Sequence, residues 1–243
     1  MKKIRIKEYK INHELRIPKA ANLKLNNKYS DIEMDAPEGN AELILYNTNL
    51  YASDFPKGLS IEAKYSKISV TDIRDRAKLD FYDTDIKFNS CGDAVITSKY
   101  SKFEAAKTGR LTIDSYDDDF EIAAADHIKL QAKYSDFVSQ ANVGDLNLNL
   151  YDCNIQVKSA KNGTYAGKYS ELKLGDIQKL NVAKSYEDNF FMRKTEDIQI
   201  SESKYSLYEI DEVSSFSVIG YNDEVTIRKL TPSFSGIDMN GKY

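Results

Sequence analysis

Apolar residues in this 243-residue chain fall into short runs of period two, and the runs themselves recur every 17 or 18 residues. One column of apolar anchors reads Ile32, Leu50, Ile68, Ile86, Phe103, Phe120, Phe137, Ile155, Leu172, Phe190, Tyr208 and Val225. Two residues further on, a mostly apolar column follows, from Met34, Ala52 and Val70 to Ile227, with Ser139 as the exception. A second alternating run precedes each anchor, as in Ala41-Leu43-Leu45, Leu59-Ile61-Ala63 and Leu146-Leu148-Leu150. Period two means strands with one buried face. The unit is therefore strand, corner, strand, loop. The loops carry turn residues such as Pro37-Glu38-Gly39-Asn40 and Pro56-Lys57-Gly58. The inward register is less regular around Leu180-Val182 and Ile198-Ile200, which predicts bulges there.

The corner carries its own signature. Lys-Tyr-Ser occurs at Lys28, Lys64, Lys99, Lys133, Lys168 and Lys204, and a Tyr-acid or Tyr-amide pair lies midway between successive copies. Four positions before each anchor, Lys and Tyr alternate. Three positions before, Tyr alternates with Asn, Asp or Glu. These columns decide the coil length. A 35-residue coil would stack Lys on Lys at a rung spacing of about 4.8 Å, which is unfavourable. A 17- or 18-residue coil sets Lys99 between Tyr82 and Tyr116, where cation–π contacts are available. The expected fold is all-β, a single-stranded parallel β-helix of about twelve coils and roughly 55–60 Å. A right-handed coil is favoured, since the strict hexapeptides of left-handed solenoids are lacking. Residues 1–27, with Ile4, Ile6, Ile11, Leu15 and Ile17, read as irregular leading strands or a cap. Residues 28–243 read as the solenoid. The chain stops at Gly241-Lys242-Tyr243, the opening of a thirteenth motif, so the natural protein is expected to continue or to meet another chain there.

Composition changes this picture little. The chain is 41% apolar and 30% charged, which is enough for a core, and its net charge of −4 gives no reason to expect nucleic acid. There is no apolar run of membrane-spanning length. Tyr is abundant at 17 and Trp is absent, and the two corner columns hold twelve of those tyrosines. The Lys- and Arg-rich start, Met1 to Lys7, lacks the apolar core of a signal peptide. Cys91 and Cys153 sit four rungs apart, too far for a disulfide, and Cys153 reads as a small corner filler.

Tandem Lys-Tyr-Ser-Asp-Ile-x-apolar units with a Tyr-Asp half-repeat resemble the putative adhesin (GIN-like) β-helix proteins of bacterial envelopes, especially in Bacteroidetes. The resemblance covers about residues 20–243. It implies a parallel β-helix, export to the periplasm or cell surface, and no known enzyme activity, and it carries over no functional residue. No leader is visible in this chain.

Little chemistry stands out. The corner ladder is first a structural stack, and second a speculative binding stripe for a glycan or protein, with Tyr82, Tyr100, Tyr116, Tyr134, Tyr151, Lys99 and Lys133 as its residues. Asp114, Asp117, Asp118 and Asp119 cluster at one corner, with Asp83 and Asp85 read as one rung below and Asp136 above. They read as a solvated corner rather than a calcium site. His127 reads as a surface residue. No cofactor, metal or catalytic group is expected. Rungs of nearly constant length leave no inserted loops to wall a cleft, which argues against a glycan-cleaving enzyme. The expectation is a non-enzymatic adhesin-like or scaffold module. The alternative is a polymer-forming cytoskeletal β-helix, similar in idea to bactofilins, with end-to-end self-association.

Overall fold

The computed structural model describes Glu14, residues 16–232, Phe234 and residues 236–241. The expected lead-in residues Ile4, Ile6, Ile11 and Leu15, and the terminal Lys242 and Tyr243, lie outside these. The chain forms a parallel β-solenoid of about twelve turns, with no helix among the described residues. Among the described residues, all strands join one 18-stranded parallel sheet wound into stacked coils. Regular pairing begins at Leu23, where Leu23–Lys28 pairs with Ala41–Tyr46.

The pairings fix the coil length. Tyr82 lies against Lys99, and Lys99 against Tyr116. Each residue thus meets its counterpart 17 or 18 positions away, as the charge pattern requires. Every coil has a first face before the tyrosine corner, for example Leu59–Lys64, and a second face after it, for example Lys67–Ile73. From Lys102 onward the second face runs without a break into the first face of the next coil, giving strands such as Lys102–Tyr116 and Asp136–Tyr151.

Three inward columns, rather than two, line the second face. The anchor column and the one after it are buried as expected, except at the two ends of the rod, where Ile32, Met34, Ala52, Val225 and Ile227 are half-buried, and Ser139 is satisfied by donating to the Ala123 carbonyl at 3.3 Å. The third column runs Ile73, Cys91, Thr108, Ala125, Val143, Ala160, Ile177, Thr195 and Val213, all buried. It lies three or more residues past the second column, so it breaks the period of two. Register shifts occur at Tyr165/Ala166 and Ile200/Ser203, next to the runs where bulges were expected. Further shifts lie at Glu121/Ala125 and Ser139/Asn142.

Aromatic residues fill the middle of the core. Phe88, Phe103, Phe120 and Phe137 form a chain of ring contacts at 5.7–6.5 Å. Tyr165, Phe190 and Tyr208 continue it higher in the rod. Buried phenols need room and partners. Tyr208 Oη lies 2.8 Å from Ser203 Oγ. Tyr165 points its hydroxyl to the place a side chain would occupy at Gly167, where a Cβ would sit 2.3 Å from it.

Candidate functional site

The tyrosine corner is made by a single backbone device. The residue three before each anchor, from Tyr29 through Asn47 and Tyr65 to Asn222, takes a left-handed conformation in all twelve corners, with φ between 48° and 62°. Asn and Asp tolerate this region readily, whereas a bulky side chain enters it at a cost of about 1–2 kcal/mol. Five corners therefore use Asn or Asp, one uses Glu187 and six use tyrosine.

This turn leaves the next N–H without a ladder carbonyl, and the coil above caps it with a side chain. Thr48 N–H donates to Ser66 Oγ at 3.1 Å, Thr84 N–H to Ser101 Oγ at 3.1 Å, and Cys153 N–H to Ser170 Oγ at 3.2 Å. Several of these hydroxyls also donate to the carbonyl two residues back, as Ser66 does to Lys64 at 2.8 Å. A hydroxyl that both donates and accepts suits this task. Cys153 occupies the same small buried position, as a corner filler.

At three corners an aspartate replaces the hydroxyl. Asp118 accepts from Ser101 N–H, Ser98 Oγ, Ser115 Oγ and Tyr116 N–H at 2.7–3.1 Å. Asp188 accepts from Ser170 N–H, Ser185 Oγ and Tyr186 N–H. Asp223 accepts from Ser206 N–H and Ser203 Oγ. Each sits three residues after a small residue, Ser115, Ser185 or Gly220, which makes the space. Burial pushes all three carboxyls above the ordinary aspartate value, and the hydrogen bonds oppose it.

The expected acidic cluster is thereby corrected. Asp118 is buried and turned inward, whereas Asp114, Asp117 and Asp119 are exposed. Asp85 is two rungs below Asp119, not one, because Lys102 lies between them. Among the described residues, no group of three or more His, Cys, Asp or Glu is placed to hold a metal ion.

The tyrosines form one file. Each coil supplies one ring, alternately from the left-handed position and from the position before it. Twelve rings from Tyr29 to Tyr221 make eleven successive edge-to-face contacts, with centroids 5.4–5.8 Å apart. The stripe residues Tyr82, Tyr100, Tyr116, Tyr134 and Tyr151 are consecutive members. The expected sandwich of every lysine between two rings does not form, because the neighbouring rings occupy those places. Among the described residues, Lys99 and Lys168 reach a ring, at 5.9 and 5.6 Å. Lys133 keeps its place in the column, against Tyr116 and Tyr151, without such a contact.

The file lies at the surface. Tyr100 and Tyr134 are a little under half exposed, and Tyr116 and Tyr151 slightly less so. Desolvation, then the neighbouring phenols and acids, push Tyr100 and Tyr134 above the ordinary tyrosine value. Both therefore remain neutral hydrogen-bonding phenols at physiological pH. The file can offer an extended partner ring edges, hydroxyls and flanking ammonium and carboxylate groups.

Outside the corner, His127 has a partner that sequence proximity did not reveal. Its Nδ1 lies 2.9 Å from Asp145 on the next coil, and Asp145 accepts from Asn162 at 2.7 Å. The Asn162 bond, followed by His127, holds Asp145 below the usual carboxylate range. Ser159, in the same open groove, is hydrogen bonded to Asn142, not to His127. Cys91 and Cys153 are free and buried, so neither offers a surface thiol to the polymerising alternative. Among the described residues, no helix is long and apolar enough to cross a membrane. No family model, no curated protein and no solved structure matches this chain.

Proposed function

We propose that this chain is a non-enzymatic β-solenoid module of the bacterial cell envelope, adhesin-like or scaffolding, which presents one side of its rod to an extended glycan or protein. The observation that carries this reading is the unbroken surface file of twelve tyrosine rings. Aromatic rings with a polar edge are well suited to recognition, because they bury large area at small entropic cost. Support also comes from the even rungs, which leave open grooves in place of a walled cleft. The resemblance of the Lys-Tyr-Ser-Asp-Ile units to GIN-like adhesins favours export to the periplasm or surface.

A glycan array probed with the wild-type chain and with the Tyr116→Ala/Tyr151→Ala double variant tests the reading. Binding that the double variant loses supports the file as the site. Binding that survives it removes the file from the site. Fractionation of the source cells tests location, and a cytoplasmic pool forming filaments overturns the envelope assignment.

A further inference from the structure

The outward side of the first face carries a patch unlike the rest of the rod. Over five consecutive coils its outer column reads Asn147, Thr164, Asn181, Gln199 and Ser217, in direct register and without a charge. The first four are exposed, and the column spans roughly 19 Å at the usual rung spacing. Asn149 lies beside it, and two residues further on the same side stands Tyr151 of the ring file. The patch is thus bordered by the tyrosines.

Most of these side chains are also unengaged. Some amides elsewhere bond to acids of a neighbouring coil: Asn49 to Asp31, Asn154 to Asp136, Asn162 to Asp145. In the patch, Gln199 bonds to Asp197, while Asn147, Asn149, Thr164 and Asn181 make no side-chain hydrogen bond among the described residues. Amides and hydroxyls both donate and accept, as sugar hydroxyls do. The column itself holds no cation for an anionic polymer, and the flanking Lys179 and Lys184 face Asp197 and Glu202 of the next coil. An apolar partner would find no apolar area to cover.

We propose that this patch docks a neutral, hydroxyl-rich glycan chain laid along the rod, with the tyrosine file as its border. The proposal rests on the reading of the chain as a glycan-binding module. Affinity electrophoresis in gels holding barley β-glucan, xyloglucan or hydroxyethyl cellulose tests it, with polygalacturonate as the anionic comparison. The Asn147→Asp/Asn181→Asp variant places two charges in the patch. Gln140→Asp/Gln156→Asp makes the same charge change on the second face, at exposed residues. Circular dichroism checks that both fold.

The expected result is retardation by at least one neutral polymer. The Asn147/Asn181 variant should weaken it roughly tenfold or more, the equivalent of about 1.4 kcal/mol, and the Gln140/Gln156 variant should leave it unchanged. Failure of every neutral polymer to retard the chain overturns the proposal, as does equal retardation by polygalacturonate. Loss in the Tyr116→Ala/Tyr151→Ala variant alone also overturns it, and leaves the tyrosine file standing as the site. If light scattering finds a dimer that the Asn147/Asn181 variant dissolves, without glycan retardation, the patch belongs to a second copy and the proposal falls.

Discussion

Tyr151 offers a clean measure of what the ring file contributes. It sits in the extended position of its corner, so its replacement does not alter the left-handed residue, Asp152. Its ring lies 5.6 Å from Tyr134 and 5.5 Å from Tyr169, nearly perpendicular to both. Each edge-to-face pair contributes about 0.5–1.5 kcal/mol beyond area burial, so Tyr151→Ala removes two pairs and costs about 1–3 kcal/mol. Tyr151→Phe keeps both pairs and should cost much less. Because each coil touches mainly its neighbours, the loss should be local. Urea unfolding gives the magnitude. Hydrogen exchange should show lowered protection in the coils of Tyr134 and Tyr169, with the distant coils near Tyr46 unchanged. If the alanine variant costs under about 0.5 kcal/mol, or if phenylalanine costs as much as alanine, the rings do not hold the coils together in the manner described.

Three further outcomes are expected. Asp118→Asn replaces two acceptor oxygens by one and sets an amide against N–H and O–H donors, so it should cost about 1–3 kcal/mol at neutral pH. The Asp118 carboxyl is raised in the folded state, so its own contribution is greatest below the unfolded aspartate value and is lost as pH rises through the folded value. The gap between wild type and variant should therefore widen on acidification, and a gap that narrows in urea titrations at falling pH would contradict the assignment. Gly175→Ala would place a Cβ 2.0 Å from the Lys158 carbonyl oxygen of the coil below, and backbone cannot swing aside as a flexible side chain can. A melting temperature equal to wild type would show that the coils are looser than described. Burial pushes the Cys91 thiol up to about 12 and raises that of Cys153. Both should ignore Ellman's reagent in the folded chain and react on denaturation, and a fast native reaction would refute their burial.

Periodicity alone determined the solenoid and most of its core. The reason is that stacked coils repeat one local environment, so the same requirement for an inward apolar residue is written twelve times. Like-charge avoidance between rungs selected the short coil, since the Lys column would otherwise stack on itself. Tertiary structure decided what depends on direction within the rung. Serine or aspartate at the corner looks solvated in sequence, but the left-handed residue before it turns it inward to cap an N–H of the coil below. The third inward column was hidden because its members, among them Cys91, Thr108, Ala125 and Thr195, are small or polar and sit off the period of two. The alternation of Lys-Tyr with Tyr-acid suggested lysines between rings, whereas the chain staggers by one residue from coil to coil so that ring meets ring. The stagger is written in the sequence, but that it lays ring on ring follows from the left-handed backbone of the corners and becomes visible only when they are folded and stacked.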